Sequence, residues 1–212
     1  MIELYLTFVK SHPLLSSAIQ VALLGTFGEM LAIRIRSLRW QLPGGSLKTL
    51  LAKFAIWALL GISFKYAFTG FGGFVDTISA KGFWFTASPG THAGNPLSSP
   101  PLAGGAEGVV LSGGQLSTAT ILDLILRAFS ISFFCNLLFG PVMMTFHRWT
   151  DNMIEGKAMD WASLQKAWWT LAWFWIPAHT ITFCLPPHLQ VGLAAVWAVA
   201  LGVILGLFAK SR

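Results

Sequence analysis

The sequence predicts an all-α integral membrane protein, a bundle of five transmembrane helices in one domain that covers residues 1–212. Two observations predict this class. Of the 212 residues, 55% are hydrophobic and only 10% are charged, whereas soluble domains carry about 25% charged residues. The hydrophobic residues also form runs close to the roughly 20 residues that a spanning helix needs, without the alternation of outer-membrane strands.

The runs predict the elements in order. A short amphipathic helix at residues 1–10 suits the membrane interface. Spans follow at residues 14–33, from 50 to 68 or 71, at 121–146, from about 161 to 185, and at 191–209. Asp160 is the expected N-cap of the fourth span. An alternative has four spans plus a re-entrant or interfacial segment near Pro186 and Pro187. Residues 71–120 are rich in Gly, Ser and Pro and predict an extramembrane loop.

The basic residues predict the orientation. The chain has 14 Lys and Arg against 8 Asp and Glu, and most of the basic side chains flank apolar runs: Arg34, Arg36, Arg39, Lys48, Lys53, Arg148, Lys157, Lys166, Lys210 and Arg212. This pattern is typical of the cytoplasmic side of a membrane rather than of nucleic-acid binding. We expect the N-terminus outside and the C-terminus on the cytoplasmic or matrix side of a bacterial inner, mitochondrial inner or peroxisomal membrane.

Four of the polar residues inside the predicted spans are candidates for a common pathway: Gln20, Glu29, Asn136 and His179. Intramembrane polar groups usually face an interior or a water-filled cavity, so these four predict a polar passage through the bundle. The alternative is hydrogen bonding between helices. For His179 the favoured interpretation is a ring packed among tryptophans and bonded to a backbone group freed by Pro177.

Depth along each span predicts two ion pairs, because the rise is about 1.5 Å per residue. Glu29 lies near the level of His147 and Arg148, with Arg148 as its expected partner, and Lys65 lies near the level of Asp123. His147 and Asp151 are four residues apart, which could place two metal ligands or a base and its carboxylate on one helix face. Two ligands do not complete a metal site. We therefore predict no catalytic residue, no metal and no cofactor, with a membrane enzyme as the minor alternative.

Small residues and prolines predict the packing. Close helix contact is expected at Gly25 and Gly28, and along a stripe with four-residue spacing: Ala194, Ala198, Gly202 and Gly206. The stripe could dock within the bundle or across a homo-oligomer. Pro177 should bend the fourth span, and Pro186 and Pro187 should form the turn before the fifth.

Four segments resemble the Mpv-seventeen family of small peroxisomal and mitochondrial inner-membrane proteins. YLTFVKSHPLLSSAI is similar to the family's opening, GTFGE to its Gly-x-x-Gly-acid motif, WASLQ to its Trp-x-x-Leu-Gln, and FWIPAHTITFCLPPHLQV to its Trp-Pro-Ala signature. The chain departs from the family by an isoleucine between Trp175 and Pro177 and by the Gly/Ser loop. The resemblance implies a small helical bundle with a channel role, and it carries over to Glu29, Trp175 and Pro177.

We therefore expect a channel or facilitator for small hydrophilic solutes or metabolites, whose partners are the lipid bilayer and those solutes. The rival hypothesis is a non-transporting structural or assembly protein that binds another membrane protein or a lipid through the small-residue stripe.

Overall fold

The structure, a computed structural model, describes residues 2–85 and 118–210. Within those ranges the chain is helical and contains no strand. The elements, in order, are α1 (Ile2–Ser11), α2 (Pro13–Ser37), a short 3₁₀ turn (Pro43–Gly45), α3 (Leu47–Ala80), α4 (Thr118–Phe134), a π turn (Cys135–Phe139), α5 (Gly140–Glu155), α6 (Trp161–Thr170), a second π turn (Leu171–Trp175), α7 (Ile176–Phe183) and α8 (Pro187–Lys210).

Four helical stretches are long and apolar enough to cross a membrane: Pro13–Ser37, Leu47–Ala80, Ile121–Glu155 and Pro187–Leu207. They confirm the predicted class, an all-α integral membrane protein. The predicted fourth span is one continuous stretch from α6 through the π turn to α7, and it is not among these four. Its tryptophans, threonines and single histidine make it less apolar than the others.

The packing directions nevertheless favour a five-span path. Helices α2 and α8 run parallel: Gly28 packs against Val199, and Ile35, farther along α2, packs against Gly206, farther along α8. Parallel first and last spans need an odd number of crossings between them. Helix α3 and the α4–α5 stretch provide two, so the α6–α7 stretch is the third. Its crossing of the bilayer stays a prediction.

Two predicted boundaries differ from the structure. Helix α3 continues to Ala80, so residues 71–80 belong to a helix and not to the predicted loop. At about 1.5 Å per residue its 34 residues span about 51 Å, well beyond the roughly 30 Å of a bilayer core. At the other end of the predicted loop, residues 118–120 are the start of α4, and residues 86–117 lie outside the described residues.

Helix α2 packs most extensively against α3 and α8, while α4 packs against α7. The main apolar core joins these two groups through Val21, Phe68, Val75, Ile131 and Phe183, which are all buried. Two glycines lie where neighbouring helices approach α2. Gly61 of α3 lies so close to the backbone of Ser17 that a side chain there would overlap it, whereas a side chain at Gly202 of α8 would make an ordinary contact with the carbonyl of Gly28.

The small-residue stripe therefore lies mainly inside the molecule. Ala194 is buried, and Gly202 and Gly206 contact α2. Gly28 faces α8, whereas Gly25 faces the indole ring of Trp57. Ala198 packs against the apolar cluster of Leu171, Trp175 and Leu201. The stripe is therefore covered within the molecule and is not a free surface for a second copy or another membrane protein.

Candidate functional site

A cluster of charged side chains lies between α2, α3 and α5, within three of the membrane-length helices. We call it the charged cluster, and it comprises Glu29, Lys53, Trp57, His147, Asp151 and Glu155. Helix α2 carries Glu29, and α3 carries Lys53 and Trp57 one turn apart. Helix α5 carries the other three at four-residue spacing, which places them on one helix face.

Lys53 is the centre of the charged cluster and only 5% of it is exposed. Its Nζ lies 3.0 Å from Glu29 Oε2, 3.5 Å from Asp151 Oδ1 and 2.7 Å from Glu155 Oε1. One ammonium group therefore serves three carboxylates from two helices. Such pairing offsets the free-energy cost of removing charges from water. The offset is lost if any of the paired side chains is removed or displaced.

The remaining members orient the carboxylates. Trp57 Nε1 donates a 2.7 Å hydrogen bond to Glu29 Oε1. The Trp57 ring also packs on the imidazole of His147, with ring centroids 4.2 Å apart. His147 Nε2 lies 3.7 Å from Asp151 Oδ2, beyond hydrogen-bond length. Glu29 is thus held from two sides, while His147 and Asp151 are not bonded to each other.

The cluster is incompletely satisfied. His147 Nδ1 and Asp151 Oδ1 are buried and have no hydrogen-bond partner among the residues that the structure describes. Asp151 Oδ1 lies within ion-pair distance of Lys53 but without hydrogen-bond geometry. Buried polar atoms without partners are uncommon, and each requires an explanation. In their ordinary charged forms the three carboxylates also outnumber Lys53 and Lys157, the latter an exposed partner of Glu155.

A second group of polar residues lies between α4 and α7, and we call it the neutral cluster. It comprises Ser132, Asn136 and His179. Asn136 Nδ2 lies 3.1 Å from His179 Nδ1 and donates to the Ser132 carbonyl at 2.8 Å, and Ser132 Oγ donates to the Ile176 carbonyl at 2.8 Å. The rings of Phe68, Trp175 and Phe183 surround His179.

The four predicted passage residues therefore lie in three places. Glu29 is in the charged cluster, Asn136 and His179 are in the neutral cluster, and Gln20 accepts a hydrogen bond from Tyr5 at 3.1 Å. They do not line one common passage. His179 packs among aromatic rings as expected, but its recorded polar contact is Asn136 and not a backbone group freed by Pro177.

Both predicted ion pairs are wrong. Glu29 pairs with Lys53, and Arg148 is exposed because it lies one residue, or about 100°, around the helix from His147. Lys65 donates to the Pro187 carbonyl at 3.3 Å. Since α3 is longer than predicted, Asp76 and not Lys65 reaches the level of α4, where it pairs with Arg127 at 2.6 and 2.8 Å.

Sequence reasoning missed Lys53, Trp57 and Glu155. Lys53 was expected to extend toward the basic side of the membrane, but the signal that pairs it with Glu29 was available. Glu29 lies eight residues before the end of α2, and Lys53 lies six residues after the start of α3. Two antiparallel helices joined by a short loop bring residues at such positions to the same depth.

The prolines lie next to irregular helix. Pro141 and Pro177 each follow a π turn by two residues, and each lacks the N–H that a regular helix would bond. Pro186 lies in the turn between α7 and α8, and Pro187 is the first residue of α8.

Comparisons with protein-family models, with curated proteins and with solved structures give no match. The resemblance to the Mpv-seventeen family stays a prediction. The two polar clusters are therefore the features from which a function can be inferred.

Proposed function

We propose that the protein is a membrane facilitator for small hydrophilic solutes and that the charged cluster is its binding site. The observation that supports this proposal is the convergence of Glu29, Lys53, His147 and Asp151 from three membrane-length helices. Ionisable groups are costly inside a membrane and usually mark ion pathways, substrate sites or proton relays. The excess of carboxylates favours a cationic solute.

The proposal differs from the expected passage through four polar residues, because the neutral cluster is enclosed by aromatic rings. A recess lined by Ser17, Lys65, Pro187 and Val191 lies toward the opposite ends of α2 and α3. The α2–α3 contact at Gly61 and the Trp57 ring against Gly25 separate that recess from the charged cluster. In this proposal, solute moves along the α2–α3 interface when these two contacts open.

Reconstitution into liposomes tests the proposal. Flux of monovalent cations, divalent cations and neutral polar solutes is measured with entrapped indicators for the wild type, Glu29→Gln and Asp123→Asn. Glu29→Gln keeps the size of the side chain and removes its charge, so we expect at least a tenfold loss of cation flux. Asp123 is a partly buried aspartate of α4 outside the cluster, and its variant should retain flux within twofold.

Liposomes that stay as tight with wild-type protein as without it would overturn the proposal. Equal flux through the wild type and Glu29→Gln would remove the charged cluster from the pathway. The small-residue stripe does not support the partner-binding hypothesis, because its residues pack against other parts of the same chain.

A further inference from the structure

We propose that Glu29, His147 and Asp151 form a binding site for a divalent transition-metal ion. One ligand atom from each of the three residues lies within 4.8 Å of the other two. Atoms that bind one ion at about 2.0–2.2 Å lie at most about 4.4 Å apart, and about 3.4 Å apart in a tetrahedral site. Small side-chain rotations therefore bring the three ligands into range. One imidazole with two carboxylates suits Zn²⁺, Mn²⁺ or Fe²⁺.

Two of the five buried side-chain atoms without a hydrogen-bond partner in the described part of the chain belong to this ligand set. His147 Nδ1 and Asp151 Oδ1 are both buried without a hydrogen bond, and both residues belong to the ligand set. Protein groups buried without partners lose hydration and gain nothing in return. A bound ion would give one ring nitrogen of His147 and one carboxylate oxygen of Asp151 a partner.

Charge balance supports a divalent ion. Glu29 and Asp151 carry two formal negative charges, which one divalent ion would neutralise. Lys53 would then keep Glu155, its shortest contact at 2.7 Å. Lys157, whose side chain is 67% exposed, would no longer be needed by Glu155 and could remain in solvent. Every buried charge would thus retain one partner of opposite sign.

In this arrangement the Lys53 ammonium group competes with the metal ion for the carboxylates of Glu29 and Asp151. Its ammonium group lies 3.0 Å from Glu29 and 3.5 Å from Asp151, where a metal ion would be attracted. Removing this charge should therefore strengthen metal binding, while removing a ligand should weaken it. A merely structural cluster would not show these opposite effects.

Metal binding by the full chain in detergent provides the test. Protein purified with a histidine-free affinity tag is stripped with a chelator and dialysed against Co²⁺ or Zn²⁺, and bound metal is quantified by elemental analysis. Visible absorption of the Co²⁺ form reports its coordination. We expect one ion per chain, at least tenfold weaker binding by His147→Gln and Asp151→Asn, and at least tenfold tighter binding by Lys53→Met.

His12→Gln is the matched control, because His12 is exposed between α1 and α2. It should bind as the wild type does. Wild-type binding at background level, or equal binding by wild type and His147→Gln, would overturn the proposal. If Lys53→Met does not fold, Glu29→Gln replaces it as a third ligand variant with the same expected loss.

The result is independent of transport. If the protein binds metal but leaves liposomes impermeable, only the facilitator proposal is overturned. If it conducts solute but binds no metal, only the metal-site proposal is overturned.

Discussion

The charged and neutral clusters lie in the same bundle and differ in how completely their polar groups are paired. In the neutral cluster Asn136 and His179 are 3% and 8% exposed. Within the described part of the chain its three residues have no buried nitrogen or oxygen without a partner, whereas Nε1 of the adjacent Trp175 has none. In the charged cluster the side chains of Asp151 and His147 are 16% and 24% exposed and each has an unpartnered atom.

This difference indicates that the neutral cluster is structural and that the charged cluster is the candidate functional site. A polar cluster whose bonds are complete and whose surroundings are aromatic joins two helices and offers nothing further to a ligand. A cluster with unbalanced charge, unpaired polar atoms and partial exposure retains a free-energy cost of burial that packing does not offset. The variants below test that division, from the largest expected effect to the smallest.

Lys53→Met should destabilise the protein most, because it leaves Glu29, Asp151 and Glu155 without their shared cation. Removing one partner from a buried ion pair costs about 3–5 kcal/mol. Unfolding in mixed micelles, with metal chelated, measures the loss. The double variant Glu29→Gln, Lys53→Met removes one carboxylate as well and should recover part of it. A Lys53→Met protein as stable as the wild type would show that the carboxylates do not depend on this lysine.

Asn136→Leu should have a smaller effect on stability and none on transport. It removes the bond to the Ser132 carbonyl and the contact with His179, at about 1–3 kcal/mol for buried groups left unpaired. The same unfolding assay and the liposome assay measure the two properties. Loss of flux by a stable Asn136→Leu protein would contradict the division between the clusters and place the pathway at α4 and α7.

Asp160→Ala should have the smallest effect and provides a surface reference. Asp160 caps α6 by accepting from Ser163 N at 3.1 Å. Hydrogen bonding to the side chain and then to the backbone of Ser163 holds the pKa of this exposed carboxyl below its ordinary value. Because the folded-state pKa is lowered, the stabilisation is present above the unfolded pKa and is lost as the pH falls through the folded pKa. The melting temperatures of wild type and variant should therefore converge in acid, and a constant difference would contradict this.

The sequence predicts much of the fold because spanning helices have a strong signal. Apolar length identified α2, α3, the α4–α5 stretch and α8, and Pro186 and Pro187 marked the last turn. The end of α3 was missed because Gly70, Gly72 and Gly73 resemble the start of a loop. Glycine weakens a helix by only about 1 kcal/mol, and α3 contains all three.

The candidate site was predicted only in part. Glu29 was identified because an ionisable group inside a membrane span is energetically costly. His147 was correctly expected at the same depth. Depth does not give the direction in which a side chain points, so Arg148 was preferred to Lys53. A single residue step rotates a side chain by about 100°, and only the packed structure shows which of two neighbours faces the partner helix.

The π turn at Cys135–Phe139 determines where α5 directs its charges. A π turn holds one residue more than the corresponding α turn, so it advances the phase of every later residue in the helix. Deleting one residue there would restore a regular helix and rotate α5 by about 100° relative to α4. Asn136 would keep its place beside His179, while His147, Asp151 and Glu155 would turn away from Glu29. A single inserted residue thus sets the relative orientation of the two polar clusters.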